Sequence, residues 1–187
     1  MIDPVPRHCE EIKKRLNDPL VKIFPTALGN TTGFTTLNLS DFETPPWGLD
    51  GGDTPANYKG QSSSILEPQD HISQYPHIKF KEQIEIPITT LDLLIKENHI
   101  DLQEYDMLNI DVQGYELEVL KGAAETLPAI KYIYTEVNRG EVYKNCAQVE
   151  EIDKLLNDSG FRQELVDWSG GDWGDALYVK DAARNTL

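Results

Sequence analysis

The feature that most constrains this chain is a strand–turn–helix–strand series between residues 106 and 137 in which both strands end in a carboxylate. Residues 106–112 are β-prone and close on Asp111, and Gly114 supplies a turn. Residues 116–127 then place Leu117, Leu120 and Ala124 on one side of a predicted helix. The run 129–137, rich in Ile130, Tyr132, Ile133 and Tyr134, forms a second strand that ends at Glu136. Strands alternating with helices mean a mainly parallel α/β sheet. Ligands in such sheets gather at the carboxyl ends of the strands, so Asp111 and Glu136 are expected on one rim.

The flanking segments extend this pattern. Residues 6–16 read as a helix, with Cys9, Ile12 and Leu16 on one face behind Pro4 and Pro6. Short strands are expected at 20–24, 34–39 and 83–88, and Thr89 or Thr90 caps a helix bearing Leu91, Leu94 and Ile95. Val149, Ile152, Leu155 and Leu156 mark another helix, stopped at Gly160. Strands at 161–168 and 175–180 are joined by only a short Gly-rich loop. They must therefore be antiparallel, because a parallel crossover needs about a dozen residues. Residues 40–75 break every periodicity with eight Gly and Pro residues, Trp47 and three consecutive serines. A loop of that length inside a domain is read as a lid or substrate loop.

A chain of 187 residues without repeats is one domain, 1–187. Lys+Arg 17 against Asp+Glu 32 leaves a charge of -15, which argues against nucleic acid and anionic membranes as partners. No run approaches the roughly 18 apolar residues of a spanning helix, and residues 1–4 do not read as a signal peptide. Cys9 and Cys146 are too few for a disulfide framework or a cysteine zinc site, so a reducing, cytoplasmic compartment is expected.

Five fragments stand in a telling order. They are Thr89-Thr90-Leu91-Asp92, Leu108-Asn109-Ile110-Asp111-Val112-Gln113-Gly114-Tyr115-Glu116, Leu120-Lys121-Gly122-Ala123, Tyr134-Thr135-Glu136-Val137 and Trp173-Gly174-Asp175-Ala176-Leu177-Tyr178-Val179. Together they closely resemble the FkbM-type family of S-adenosylmethionine-dependent O-methyltransferases over residues 83–180, with weaker matches at Ile2-Asp3-Pro4 and at 62–66. The resemblance implies a Rossmann-like class I methyltransferase sheet, mainly parallel, with a C-terminal antiparallel hairpin. It implies S-adenosylmethionine as cofactor, no metal, and a small-molecule or glycan hydroxyl acceptor, on a sugar or a secondary metabolite. In that family a first strand and Gly-rich turn precede the acidic-Pro pair. Here Ile2-Asp3-Pro4 stands at the start, so that strand, its turn and the first helix are expected to be missing, as in a truncated member. A sheet without its central strand is expected to close up or to pair with a second copy. The alternative is a non-catalytic remnant or interaction module. A nicotinamide-dependent oxidoreductase has no motif in its favour.

Each candidate residue has a plainer role beside the functional one. The resemblance makes Asp3 the ribose ligand, although an Asp at a helix entrance also stabilises the first turn. Asp111 is placed to take a proton from a substrate hydroxyl or to face a sulfonium charge, and otherwise caps the following helix. Glu136 orients that hydroxyl, shares a bound ion with Asp111, or ends a strand in water, while Glu116 reads as a first-turn helix carboxylate. Ser62, Ser63 and Ser64 are donors to a polar substrate or exposed turn residues; Ser63 and Ser64 are taken as substrate-binding. His71 and His77 are alternative bases at the end of the loop, and otherwise read as surface residues. The segment 167–172 lacks the glycine and glutamate of a calcium loop. Trp168 and Trp173 are expected to pack the hairpin on the sheet.

Overall fold

The computed structural model describes residues 1–42, 60–168 and 171–184; the middle of the irregular stretch with Trp47, and positions 169–170 of the Gly-rich loop, lie outside the described residues. In chain order the elements are α1 (Pro6–Leu16), β1 (Ala27–Leu28), β2 (Gly33–Phe42), α2 (His71–Gln74), β3 (Ile78–Thr89), α3 (Leu91–Glu97), β4 (Met107–Ile110) and α4 (Glu116–Lys121). They continue with β5 (Tyr132–Asn138), α5 (Val149–Asp158), β6 (Phe161–Asp167), β7 (Trp173–Lys180) and α6 (Asp181–Arg184). No helix among the described residues is long and apolar enough to cross a membrane.

The strand–helix–strand series folds as a parallel pair. β4 lies beside β5 with Met107 opposite Tyr132 and Ile110 opposite Thr135. The sheet continues in the order β4-β5-β7-β6, with β7 antiparallel to both neighbours and β6 at the edge. Of the three ladders in this sheet β4–β5 alone is parallel, which corrects the expectation of a mainly parallel sheet, although β4, β5 and β6 point one way. Their side chains alternate between faces. Ile133 and Val137 of β5, with Ala176 and Tyr178 of β7, join Val119, Leu120, Ile152 and Leu156 of the helices in one buried core. The Tyr178 hydroxyl reaches out of that core to Asp153 on α5 at 2.7 Å.

The N-terminal strands depart from the expectation of a single sheet. β2 and β3 pair antiparallel, Gly33 opposite Ile88 and Phe42 opposite Ile78, with β1 parallel on the other side of β3. This three-stranded sheet has its own core of Leu37, Leu39, Ile86 and Ile88, closed by Val5 and Ala27. Period-two alternation establishes that such strands have one buried face, but it does not choose their partners. The strand expected at 20–24 reduces to a single bridge between Phe24 and Ile2.

Local signals explain the helix ends that hold the site. Thr90 caps α3 by accepting the Leu93 N–H at 3.1 Å. The Glu151 carboxylate of α5 accepts the Gln148 N–H at 3.0 Å, and Gly160 follows that helix at φ 81°. Asp92, the last residue of the first motif fragment, joins α3 to the turn after α4. Its carboxylate accepts the Glu125 and Thr126 N–H groups, both at 2.9 Å, and the Thr126 hydroxyl at 2.6 Å. Asp92→Ala is expected to lower unfolding stability by about 3 kcal/mol, because each charge-assisted bond contributes more than a neutral one. Urea titration checks this; an unchanged midpoint would show the three bonds to be redundant.

Candidate functional site

The site forms where β4 runs out. Asp111 follows the strand directly, and the chain then turns through Gln113 at φ 58° and Gly114 at φ 94°. Gly114 is required twice over. Its backbone is left-handed, and a Cβ there would stand 3.0 Å from Cys146 Cβ and 3.3 Å from Tyr143 Cβ. Glu116 folds back beneath the turn, buried, and its Oε1 accepts the Val112 N–H at 3.0 Å and the Gly114 N–H at 3.1 Å. It is the pin of the turn.

Across the sheet, Glu136 lies near the end of β5 on the face away from the helices, because Ile133 and Val137 take the other face. Gln113 links it to Asp111. The single Nε2 group donates to Asp111 Oδ1 at 2.7 Å and to Glu136 Oε2 at 3.0 Å. Glu136 is in register with Asp175 on β7, and Asp175 with Asp167 on β6, so carboxylates cross this end of the sheet in a row. The expectation of two carboxylates on one rim describes this arrangement.

Crowded acids in a water-poor place do not all ionise. Burial pushes the Glu136 carboxyl well above the ordinary carboxylate range, and the charges of Glu116, Asp111 and Asp175 push it further, against the one Gln113 N–H that opposes them. Glu116 is raised too, first by burial, but the backbone N–H groups of Glu116, Val112 and Gly114 favour its charged form. Both carboxyls therefore keep their protons to higher pH than an exposed acid does. Burial likewise raises Asp175, helped by Asp111 and Asp167.

The sign of the pH dependence follows. A carboxyl raised on folding binds its proton more tightly in the native state than in the unfolded one. Its contribution is complete below the ordinary value of 4.5 and is lost as pH climbs through the folded value. Wild-type stability is expected to fall with rising pH across that window, and Glu136→Gln to flatten the fall. Thermal melts at a series of pH values measure it; parallel curves for the two proteins would place the proton elsewhere.

The segment expected to cover the rim does so in its described part. Ser64 is fully buried and its Oγ donates to the Gln113 carbonyl at 2.6 Å, while the Ser62 carbonyl accepts the Tyr143 hydroxyl at 2.9 Å. The Ser63 Oγ accepts the Ser40 N–H at 3.0 Å. The hydroxyls of Ser63 and Ser64 are thus engaged inside the protein. Asp3 stands apart from this network. Its Oδ1 accepts the Val5 N–H at 2.7 Å and its Oδ2 lies 3.3 Å from His8 Nδ1, so it braces the entrance of α1. His71 corrects the sequence reading of a surface residue. It is buried among the rings of Tyr75, Phe80 and Tyr143, with centroids 5.0, 5.4 and 5.4 Å away. Burial, then the charge of His77, pushes it down to about 4, so it is neutral. Trp173 bonds the Tyr75 hydroxyl through its indole N–H at 2.8 Å, and Trp168 lies under the Arg139 guanidinium at 4.6 Å.

Gln113 and Tyr143 are the residues that sequence reasoning missed. Gln113 sat in plain view beside Gly114, but an amide carries no titration signal. Tyr143 lies in an aperiodic stretch between β5 and α5. Two open concavities flank the region. One, of about 300 Å³, lies between Leu66, Tyr115, Lys121 and Glu151; the other, of about 390 Å³, lies between Asn38, Ile72, Phe80 and Gln83. Neither contains Asp111 or Glu136.

The methyltransferase FkbM domain family matches residues 1–163. This chain belongs to that family. Its relatives include the 2-O-methyltransferase NoeI of Sinorhizobium fredii (strain NBRC 101917 / NGR234), 29% identical over 156 residues, which are 82% of this chain and 59% of that protein. This FkbM domain thus spans about 59% of the length of the curated relative it matches. Among solved structures, magnesium protoporphyrin IX methyltransferase (ChlM) from Synechocystis PCC 6803 with bound SAM overlaps 43% of each chain, at 16% identity and a TM-score of 0.32.

Proposed function

We propose that this FkbM domain is an S-adenosylmethionine-dependent O-methyltransferase whose acceptor is a hydroxyl of a sugar or a secondary metabolite. The observation that carries this reading is the Asp111–Glu136 pair at the carboxyl end of two adjacent parallel strands, bridged by one amide. The chemistry of that rim fits the cofactor: an acid-rich strand end favours a cationic sulfonium over an anion. S-adenosylmethionine, when bound, supplies a methyl group already activated on sulfur, so the protein has to align donor and acceptor and accept a proton.

The residues divide that work. Asp111 is the base: its Oδ1 is held by Gln113, which leaves the second oxygen to receive the acceptor's hydroxyl proton. Glu136, carrying its proton, donates a hydrogen bond to an acceptor oxygen and fixes the hydroxyl beside Asp111. Asp3 is the ribose ligand, its carboxylate already anchored at the entrance of α1. Ser63 and Ser64 serve the acceptor by holding the covering segment in place, Ser63 against Ser40 on β2 and Ser64 against the Gln113 turn.

The test is transfer of labelled methyl from S-adenosylmethionine to a panel of mono- and oligosaccharides and small phenols, with calorimetric titration of the cofactor alongside. Cofactor binding with label in a hydroxyl acceptor supports the reading. A chain that neither binds S-adenosylmethionine nor methylates any hydroxyl overturns the reading in favour of a non-catalytic remnant or interaction module.

A further inference from the structure

Four hydrogen bonds converge on Gln113, to which the reaction above assigns no chemical step. Besides the two bonds from Nε2 to Asp111 and Glu136, its Oε1 accepts the Tyr143 hydroxyl at 2.9 Å and its backbone carbonyl accepts the Ser64 hydroxyl at 2.6 Å. Its backbone sits in the left-handed region at φ 58°, which a long side chain occupies only when its surroundings over-determine it. Strain held at the meeting point of two carboxylates points to a task for the side chain.

We propose that Gln113 is the positioning residue of this site: its amide sets the spacing of the Asp111 and Glu136 carboxylates, and Tyr143 acts on them only through it. Three parts of the geometry support this. An NH₂ group has two protons in a fixed plane, so two carboxylates that each accept one are held at a defined separation. The far end of the amide fits this orientation, because the Tyr143 hydroxyl stands 2.9 Å from Oε1 and shares its single proton between that oxygen and the Ser62 carbonyl. Tyr143 is itself fully buried, with its hydroxyl also 2.9 Å from the Ser62 carbonyl. The proposal rests on the functional reading only for what the two carboxylates do; the positioning can be measured on the unliganded chain.

The variants are chosen to separate the amide from the turn. Gln113→Gly accepts the left-handed backbone better than glutamine and lacks the amide. Gln113→Asn also tolerates that backbone but is one methylene too short to span both acids. The readout is the Glu136 side-chain carboxyl carbon, followed by NMR across pH in wild type, both Gln113 variants, Tyr143→Phe and the Gln113→Gly/Tyr143→Phe double variant. Loss of the one N–H that favours ionised Glu136 moves its midpoint to higher pH in both Gln113 variants. Tyr143→Phe moves it the same way by less, and adds nothing in the Gln113→Gly background, since it acts through an amide no longer there. An unmoved midpoint in Gln113→Gly overturns the proposal, and so does an equal Tyr143→Phe shift in both backgrounds. Where wild type transfers methyl, Gln113→Gly lowers kcat by roughly tenfold or more, with the acceptor KM little changed. Failure of wild type to transfer methyl, with the titration shifts present, overturns the functional reading and supports the positioning.

Discussion

Asp111→Asn is expected to lower methyl transfer by roughly 10²–10⁴-fold, the contribution of a positioned general base. The substitution preserves shape, and the new amide oxygen still accepts from Gln113 Nε2, which stands 2.7 Å from Asp111 Oδ1 in the wild type. What is lost is the charge and the basic oxygen. Glu136→Gln is the informative partner. If Glu136 works with its proton on, a glutamine amide in its place also donates a hydrogen bond, and the rate falls by about tenfold or less. The two effects should therefore be unequal by at least an order of magnitude, measured as initial rates with saturating S-adenosylmethionine over a range of pH. Equal losses would make the two acids a symmetric pair, and a wild-type rate in Asp111→Asn would remove the base from this strand end altogether.

Ile133→Ala should destabilise the chain by about 3–4 kcal/mol, whereas Leu165→Ala should cost less than about 0.5 kcal/mol. Both residues are aliphatic and both sit in the same four-stranded sheet. Ile133 points from β5 into the core beneath α4 and α5 and is 0% exposed; Leu165 on β6 faces away from those helices and is 58% exposed. Truncating the first leaves a cavity that the surrounding Leu120, Ile152 and Leu156 cannot fully close. Truncating the second removes a side chain already in water. Urea unfolding of the two variants reads the difference directly. A large loss from Leu165→Ala would mean that the outer face of the sheet is covered in solution, and a small loss from Ile133→Ala that the core can collapse around the gap.

Much of this arrangement follows from residue order alone. Strong β runs closing on Asp111 and Glu136, with a helix-length amphipathic segment between them, leave little choice but a parallel pair, since the connection is too long for a hairpin and the periodicity switches from 2 to 3.6. The short Gly-rich link before Trp173 likewise compelled the antiparallel pairing of β6 and β7. Gly114 was legible as a turn because its chemistry is local, and so were the caps at Thr90 and Gly160. Partners distant in sequence were not. Nothing in the alternation of 33–42 and 78–89 says that these strands pair with each other rather than join the second sheet; that choice depends on which apolar faces meet. His71 became a buried, neutral residue because Tyr143 from a distant segment joins the nearby Tyr75 and Phe80 rings around it. The Gln113 amide joins two carboxylates to Tyr143, 30 residues on, and its backbone carbonyl receives Ser64, 49 residues back. Sequence set the local conformations and placed the acids at strand ends, because those depend on near neighbours; the tertiary structure alone decided that Glu116 and Glu136 are raised above the ordinary carboxylate range, because that depends on burial and on charges brought together from distant segments.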